Sequence, residues 1–235
     1  MAIRSWFNQS LLLMIVCFAG VDTLAFEIQG VELEAGTEAP LMAGARVKVQ
    51  LPSSMHLRAG VGFVPEFYAD TYGSLSGSMG IHGENTGEAL AQALSGAVAL
   101  DFRAAYSLDP DGGFYAEVGY MYLSGGAGSV SGSVAEDALE NEYSGIDESD
   151  DIEIEGSFHA VSLHLGYLFL LTERISLNVD VGLVKPIFGS ITMSAPSVSE
   201  SDEADLAADL EPYLEDAIVA EMAIPTASLY LAYLF

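Results

Sequence analysis

From Ala227 to the C-terminal Phe235, two kinds of side chain alternate without a break. Ala227, Leu229, Leu231, Tyr233 and Phe235 make one apolar row, and Ser228, Tyr230 and Ala232 make the other. A period of two is the mark of a strand with unlike faces, and a helix cannot keep either row on one side. Hydrophobic residues make up 51% of the chain and the mean hydropathy is positive. Yet no uninterrupted apolar run after residue 25 is long enough for a membrane helix. Hydrophobicity spread over alternate positions is what a strand-built transmembrane barrel requires, because each strand offers one face to hydrocarbon and one to a lumen.

The opening segment is patterned differently. Arg4 supplies a positive n-region, Leu11 to Ala19 is an apolar h-region too short to span a bilayer, and Asp22-Thr-Leu-Ala25 offers a small-residue cleavage site. Residues 1–25 are read as a cleaved signal peptide, with cleavage after Ala19 as the alternative, and residues 26–235 as one barrel domain. Cys17, the only cysteine, falls inside the leader, and Met14-Ile-Val-Cys17 departs from a lipoprotein acylation box. A mature chain without cysteine has no disulfides and no thiol catalysis, and leaves any zinc site to His and carboxylates. The net charge of −27, from 34 acidic and 7 basic residues, argues against nucleic acid as a partner, which needs basic clusters to displace counterions.

Seven further segments repeat the alternation, giving eight expected strands. They cover about 26–36, 41–51, 56–68, 93–106, 114–123, 157–171 and 175–191, before the tail. Gly30 interrupts the first and is read as a bulge. The connections alternate in length. Pro52-Ser-Ser, Asp109-Pro-Asp-Gly-Gly113 and Thr172-Glu-Arg are tight turns, whereas about 69–92, 124–156 and 192–223 are long loops. Thr37-Glu-Ala-Pro40 is the one short connection at the long-loop end.

Eight strands enclose a lumen just wide enough to be filled by side chains. The alternation sends Glu32, Glu34, Asp101, Glu117 and Asp180 inward against Arg46, Lys48, Arg58 and Arg103. Four of the six basic residues of the mature chain thus fall on the lumen side, where an unpaired charge would be costly. The expectation is a buried ion-pair ladder.

The signal segment, this strand-and-loop rhythm and the Leu229-x-Leu-x-Tyr-x-Phe235 ending resemble the small eight-stranded outer-membrane barrels of the OmpA/OmpX type. The resemblance covers the whole mature chain and implies an all-β, antiparallel up-and-down barrel in a Gram-negative-type outer membrane, loops outside and both termini in the periplasm. It also implies two partners: the lipid bilayer, and the barrel-assembly machinery, which would read the last strand through Leu231, Tyr233 and Phe235. It carries no cofactor motif. Members of the superfamily differ widely in activity, so fold alone does not choose among them. The reading preferred is a non-enzymatic structural or surface-interaction protein. The runner-up is a small-solute or hydrophobic-ligand channel, and the third is an acyl hydrolase or transferase acting on membrane lipid.

Individual character lies in the loops. Residues 124–156 hold ten Asp or Glu and residues 192–222 hold nine, with no Lys or Arg in either. Such loops stay hydrated and repel neighbours. They also offer hard-oxygen ligands for a divalent cation, with Asp147, Asp150, Asp151 and Glu153 as candidates, though without an EF-hand pattern. Leu206, Leu210, Leu214 and Ile218 recur every four residues and predict a helix capped by Ser199 or Ser201 and divided at Pro212. Its apolar stripe is suited to closing the barrel mouth, and Ala89-Leu-Ala-Gln-Ala-Leu94 is a weaker version. Within Ser157-Phe-His-Ala-Val-Ser-Leu-His164, Ser157 and His159 share a strand face and are the minimum for acyl transfer, while His164 is expected in the lumen against an acid.

Overall fold

The computed structural model describes residues 28–78, 84–108, 113–139, 143, 145–221 and 223–235. Residues 1–27 with Cys17, His82 and the Asp109–Gly112 part of the second turn lie outside them. Eight antiparallel strands close in chain order: β1 (Gly30–Ala39), β2 (Met42–Gln50), β3 (Met55–Phe63), β4 (Val98–Ser107), β5 (Gly113–Ser131), β6 (Asp151–Leu170), β7 (Ile175–Ser194) and β8 (Ile224–Leu234). β8 pairs back onto β1, so the barrel has no free edge along this ring. Between strands lie α1 (Glu66–Ser78), α2 (Glu84–Leu94), α3 (Gly132–Leu139) and α4 (Glu200–Asp216), the last continuing into a π-helical turn, Ala217–Glu221.

The alternation decides which face goes where. Val31 and Leu33 are exposed while Glu32 and Glu34 are buried, and Leu229, Leu231 and Tyr233 are exposed while Ser228, Tyr230 and Ala232 are buried. Exposed leucines around buried charges invert the order of a water-soluble protein, and a continuous belt of that kind needs hydrocarbon against it. Among the described residues no helix is long and apolar enough to cross a membrane.

The strands fall into two length classes. β1 to β4 and β8 run 9–11 residues, about what a bilayer needs. β5, β6 and β7 run 19, 20 and 20 residues and rise past the others as a three-stranded sheet. The long connection expected at 124–156 is therefore largely ladder, paired from Gly126↔Gly156 to Ser131↔Asp151 after a bulge at Gly125, whose φ of +74° suits glycine. α2, α3 and α4 cover the inner face of this sheet, and α1 packs on α2. Together they form a dome whose apolar core includes Leu90, Leu94, Ile152, Ile154, Ile191 and Leu206.

Several boundaries differ from the sequence expectation. β3 stops at Phe63 rather than Tyr68, because Pro65 cannot donate to a ladder and its carbonyl instead accepts from Tyr68 N–H at the start of α1. β4 begins at Val98 rather than Ala93, since α2 runs to Leu94 and Gly96, at φ +71°, turns the chain out of it. Gly30 pairs with Gln50 in an unbroken register and forms no bulge. β1 runs on to Ala39, so that only Pro40 and Leu41 make the turn and Glu38 is carried into the lumen. Pro212 does not divide α4, because it sits with Ala208 on the exposed side, where water can reach the carbonyl it leaves unbonded. Ser199 caps that helix through Asp202 N–H, and Leu206, Leu210 and Leu214 are fully buried.

Closing so narrow a barrel depends on inward glycines. A Cβ at Gly36 would lie 2.7 Å from Tyr230 Cα and closer still to the Leu229 carbonyl oxygen, both backbone atoms of the closing strand. Gly36→Ala is expected to cost about 1–3 kcal/mol, as overpacking does, and to lower the urea midpoint of the refolded barrel. An unchanged midpoint would show that β1 and β8 can part enough to admit a methyl group.

Candidate functional site

The lumen has two storeys. At the turn end it is charged; towards the dome it is apolar, where Met42, Ala99, Met121, Ala160 and Val184 join the core of the dome. Each storey follows from the strand sequences, since inward positions switch from charged to aliphatic along β2, β4, β5 and β7.

Register builds the charged storey. Glu32↔Lys48 and Glu34↔Arg46 are direct cross-strand neighbours, and Lys48↔Arg58 and Arg58↔Arg103 continue the row around the wall. Lys48 Nζ lies 3.1 Å from Glu32, and Arg46 Nε 3.0 Å from Glu34. Glu34 also meets Arg58 Nε at 3.4 Å and accepts from Asn178 Nδ2 at 3.1 Å. Arg103 pairs with Asp101 at 2.8 Å, with Glu117 at 2.9 Å and with Glu38, while Arg58 pairs with Glu117 from the other side. Arg46 stacks its guanidinium 3.4 Å from the centre of the Tyr230 ring. All these side chains are buried.

The far wall holds the remaining acid. Asp180 lies 2.9 Å from His164 Nδ1 and accepts from the Tyr115 hydroxyl at 3.1 Å. His164 Nε2 in turn faces Glu38 Oε1 at 3.5 Å. Glu38, Asn178, Tyr115 and Tyr230 are members that the sequence reading missed. For Glu38 the signal was present, as the fourth term of Glu32-x-Glu34-x-Gly36-x-Glu38, but Pro40 drew it into a loop. The inward acids are thus six against four bases, where five were expected.

The cap uses its acids structurally. Above Val184, β7 has no strand on the side where β8 begins. There Glu215, Glu211 and Glu203 of α4 accept from the backbone N–H groups of Ile191, Met193 and Ala195, at 3.0, 2.9 and 3.1 Å. Three glutamates on a helix replace a neighbouring strand and cover an edge that would otherwise invite pairing. On the opposite flank β5 leans on α2, with Ala127 N–H donating to Ser95 O at 3.0 Å.

The other candidate residues are dispersed. Asp147 and Asp150 share the turn before β6, where Asp147 N–H donates to the Asp150 carboxylate at 2.8 Å. Asp151 and Glu153 point outward on β6. Among the described residues, the group whose carboxylate and imidazole atoms all gather within 4.8 Å is instead Glu117, His164 and Asp180. On the outer wall His159 hydrogen-bonds the Tyr120 hydroxyl and lies against Tyr122 and Phe188, with ring centres 4.7 and 5.6 Å away. That places the imidazole in an aromatic cluster rather than on Ser157. Leu231, Tyr233 and Phe235 are exposed on the closing strand, with Tyr233 and Phe235 edge to face at 5.2 Å.

The chain matches no family profile and no curated protein sequence. Several solved structures resemble it in outline, among them the following three. A major outer membrane protein from Thermus thermophilus has 13% identity and a TM-score of 0.44, over 87% of this chain and 99% of that one. Acinetobacter baumannii CarO2 has 14% identity and a TM-score of 0.38, over 88% and 97%. Acinetobacter baumannii CarO has 11% and 0.36, over 88% and 98%. Likeness at this level carries no functional assignment.

Proposed function

We propose that this chain is an outer-membrane barrel with a structural or surface-interaction role, its acidic helical dome outside the cell and its termini in the periplasm. The observation that carries the reading is the double closure of the lumen. Ion pairs cross the turn end, and an aliphatic plug continuous with the dome fills the other. An eight-stranded bore has no room for a path around either. The exposed belt of Val, Leu and aromatic side chains supports the membrane setting, and the excess of acids over bases in the dome keeps its surface hydrated. The last strand, with its outward Leu231, Tyr233 and Phe235, is the segment proposed to engage the assembly machinery.

The test is single-channel recording of the refolded mature chain in planar bilayers, with and without calcium. A silent, heat-resistant barrel is expected. Stable, discrete openings would overturn the closed reading and favour a small-solute channel in its place.

A further inference from the structure

We propose that Glu117, His164 and Asp180 hold one divalent transition-metal ion of the zinc class inside the lumen, on the side of the His164 ring that faces Asp180, while Glu38 lies against the other ring nitrogen. The first ground is charge. Inward acids exceed inward bases by two among the described residues, and the surplus is local. Asp180 is 2% exposed, and its ion-pair partner among the described residues is His164 alone. Carboxylates left unbalanced at such depth are costly, and a doubly charged ion cancels the excess.

The second ground is a set of orphaned polar atoms beside that group. His164 has no exposed side-chain surface, and its Nε2 makes no hydrogen bond. Glu38 Oε1, 3.5 Å away and equally buried, makes none either. Ser162, two residues before His164 on the inward row of β6, is 6% exposed and its Oγ is also without a partner. Buried polar atoms left unsatisfied call for an explanation, and an ion or its bound water supplies one.

Ligand chemistry narrows the ion. Imidazole nitrogen with carboxylate oxygens suits zinc and its neighbours, whereas calcium and magnesium favour all-oxygen shells. Arg58 and Arg103 grip Glu117 from both sides and fix its orientation, as outer groups commonly do for metal-binding carboxylates. One ring nitrogen of His164 would bind through its lone pair while the other keeps its N–H on a carboxylate. The ion would then tie β5, β6 and β7 together, with Glu38 of β1 accepting from the other ring nitrogen.

The experiment titrates the untagged, metal-stripped mature chain, refolded in detergent micelles, with Zn²⁺ by calorimetry. One ion per barrel is expected, with affinity lowered at least about tenfold in His164→Gln and unchanged in the outer-face double variant Asp151→Asn/Glu153→Gln. Calcium should not compete. Heat-modifiable gel mobility reports whether each variant has folded. As a measurement free of mutation, Co²⁺ bound to the wild-type chain should show visible bands displaced from those of the hydrated ion. Absence of saturable binding, or equal binding in folded His164→Gln, would overturn the proposal. So would a Co²⁺ spectrum of the hydrated ion.

Discussion

Glu34→Ala should lower the unfolding free energy of the barrel by about 3–5 kcal/mol, the usual result of removing one partner from a buried ion pair. Glu34 has no exposed surface and serves Arg46, Arg58 and Asn178 at 3.0, 3.4 and 3.1 Å. Alanine would leave two guanidinium groups short of a carboxylate in a site that water does not reach. Urea titration in micelles, followed by far-ultraviolet dichroism and by gel mobility, measures the loss. Glu32→Ala is the control, with a smaller effect expected. Glu32 pairs with Lys48 beside a cavity of about 200 Å³ at the turn end, where water can replace the lost carboxylate. Equal midpoints for Glu34→Ala and the wild type would sink the view that these pairs hold the barrel together.

The second large effect is expected in the dome. Leu210 is fully buried, in line with Leu206 and Leu214 on the inner side of α4. Leu210→Asp places a carboxylate in an apolar core with no partner, at a cost of several kcal/mol, more than the roughly 2–5 kcal/mol of a Leu→Ala cavity. The cheapest escape is release of α4. That would strip the glutamate acceptors from Ile191, Met193 and Ala195 and expose the β7 edge, while the barrel below keeps its own ladder. Limited proteolysis should therefore cut the variant within residues 195–223 and leave a heat-modifiable barrel fragment. A variant that loses the barrel as well would show that dome and barrel are one cooperative unit, and one that resists protease as the wild type does would show that a carboxylate at this position does not release α4.

Separating the two levels of information comes down to range. Strand identity, face assignment and closure were legible because they rest on local alternation: Leu229-Tyr-Leu-Ala-Tyr233 leaves no other way to separate water from hydrocarbon. The helix at 200–216 was legible for the same reason, through its stripe of leucines and its Ser199 cap. Strand ends were less so. The extension of β5 and β6 past Ser124 and Gly156 runs through Gly, Ser and Glu, residues with weak strand preference, and their pairing is decided by the sheet and the helices that cover it.

By itself, then, the sequence determined a barrel of eight strands with charges inside and a capping helix, since each of those is written in the period of a single segment. Only the tertiary structure decided the partners. Glu38 enters the lumen because β1 does not stop at Gly36 but runs on to Ala39. Asp180 meets His164 because β6 and β7 pair in that register, and Glu211 meets Met193 because α4 lies along an edge that β8 leaves bare. Those contacts join residues far apart in the chain, and neither composition nor period records which distant segment will be the neighbour.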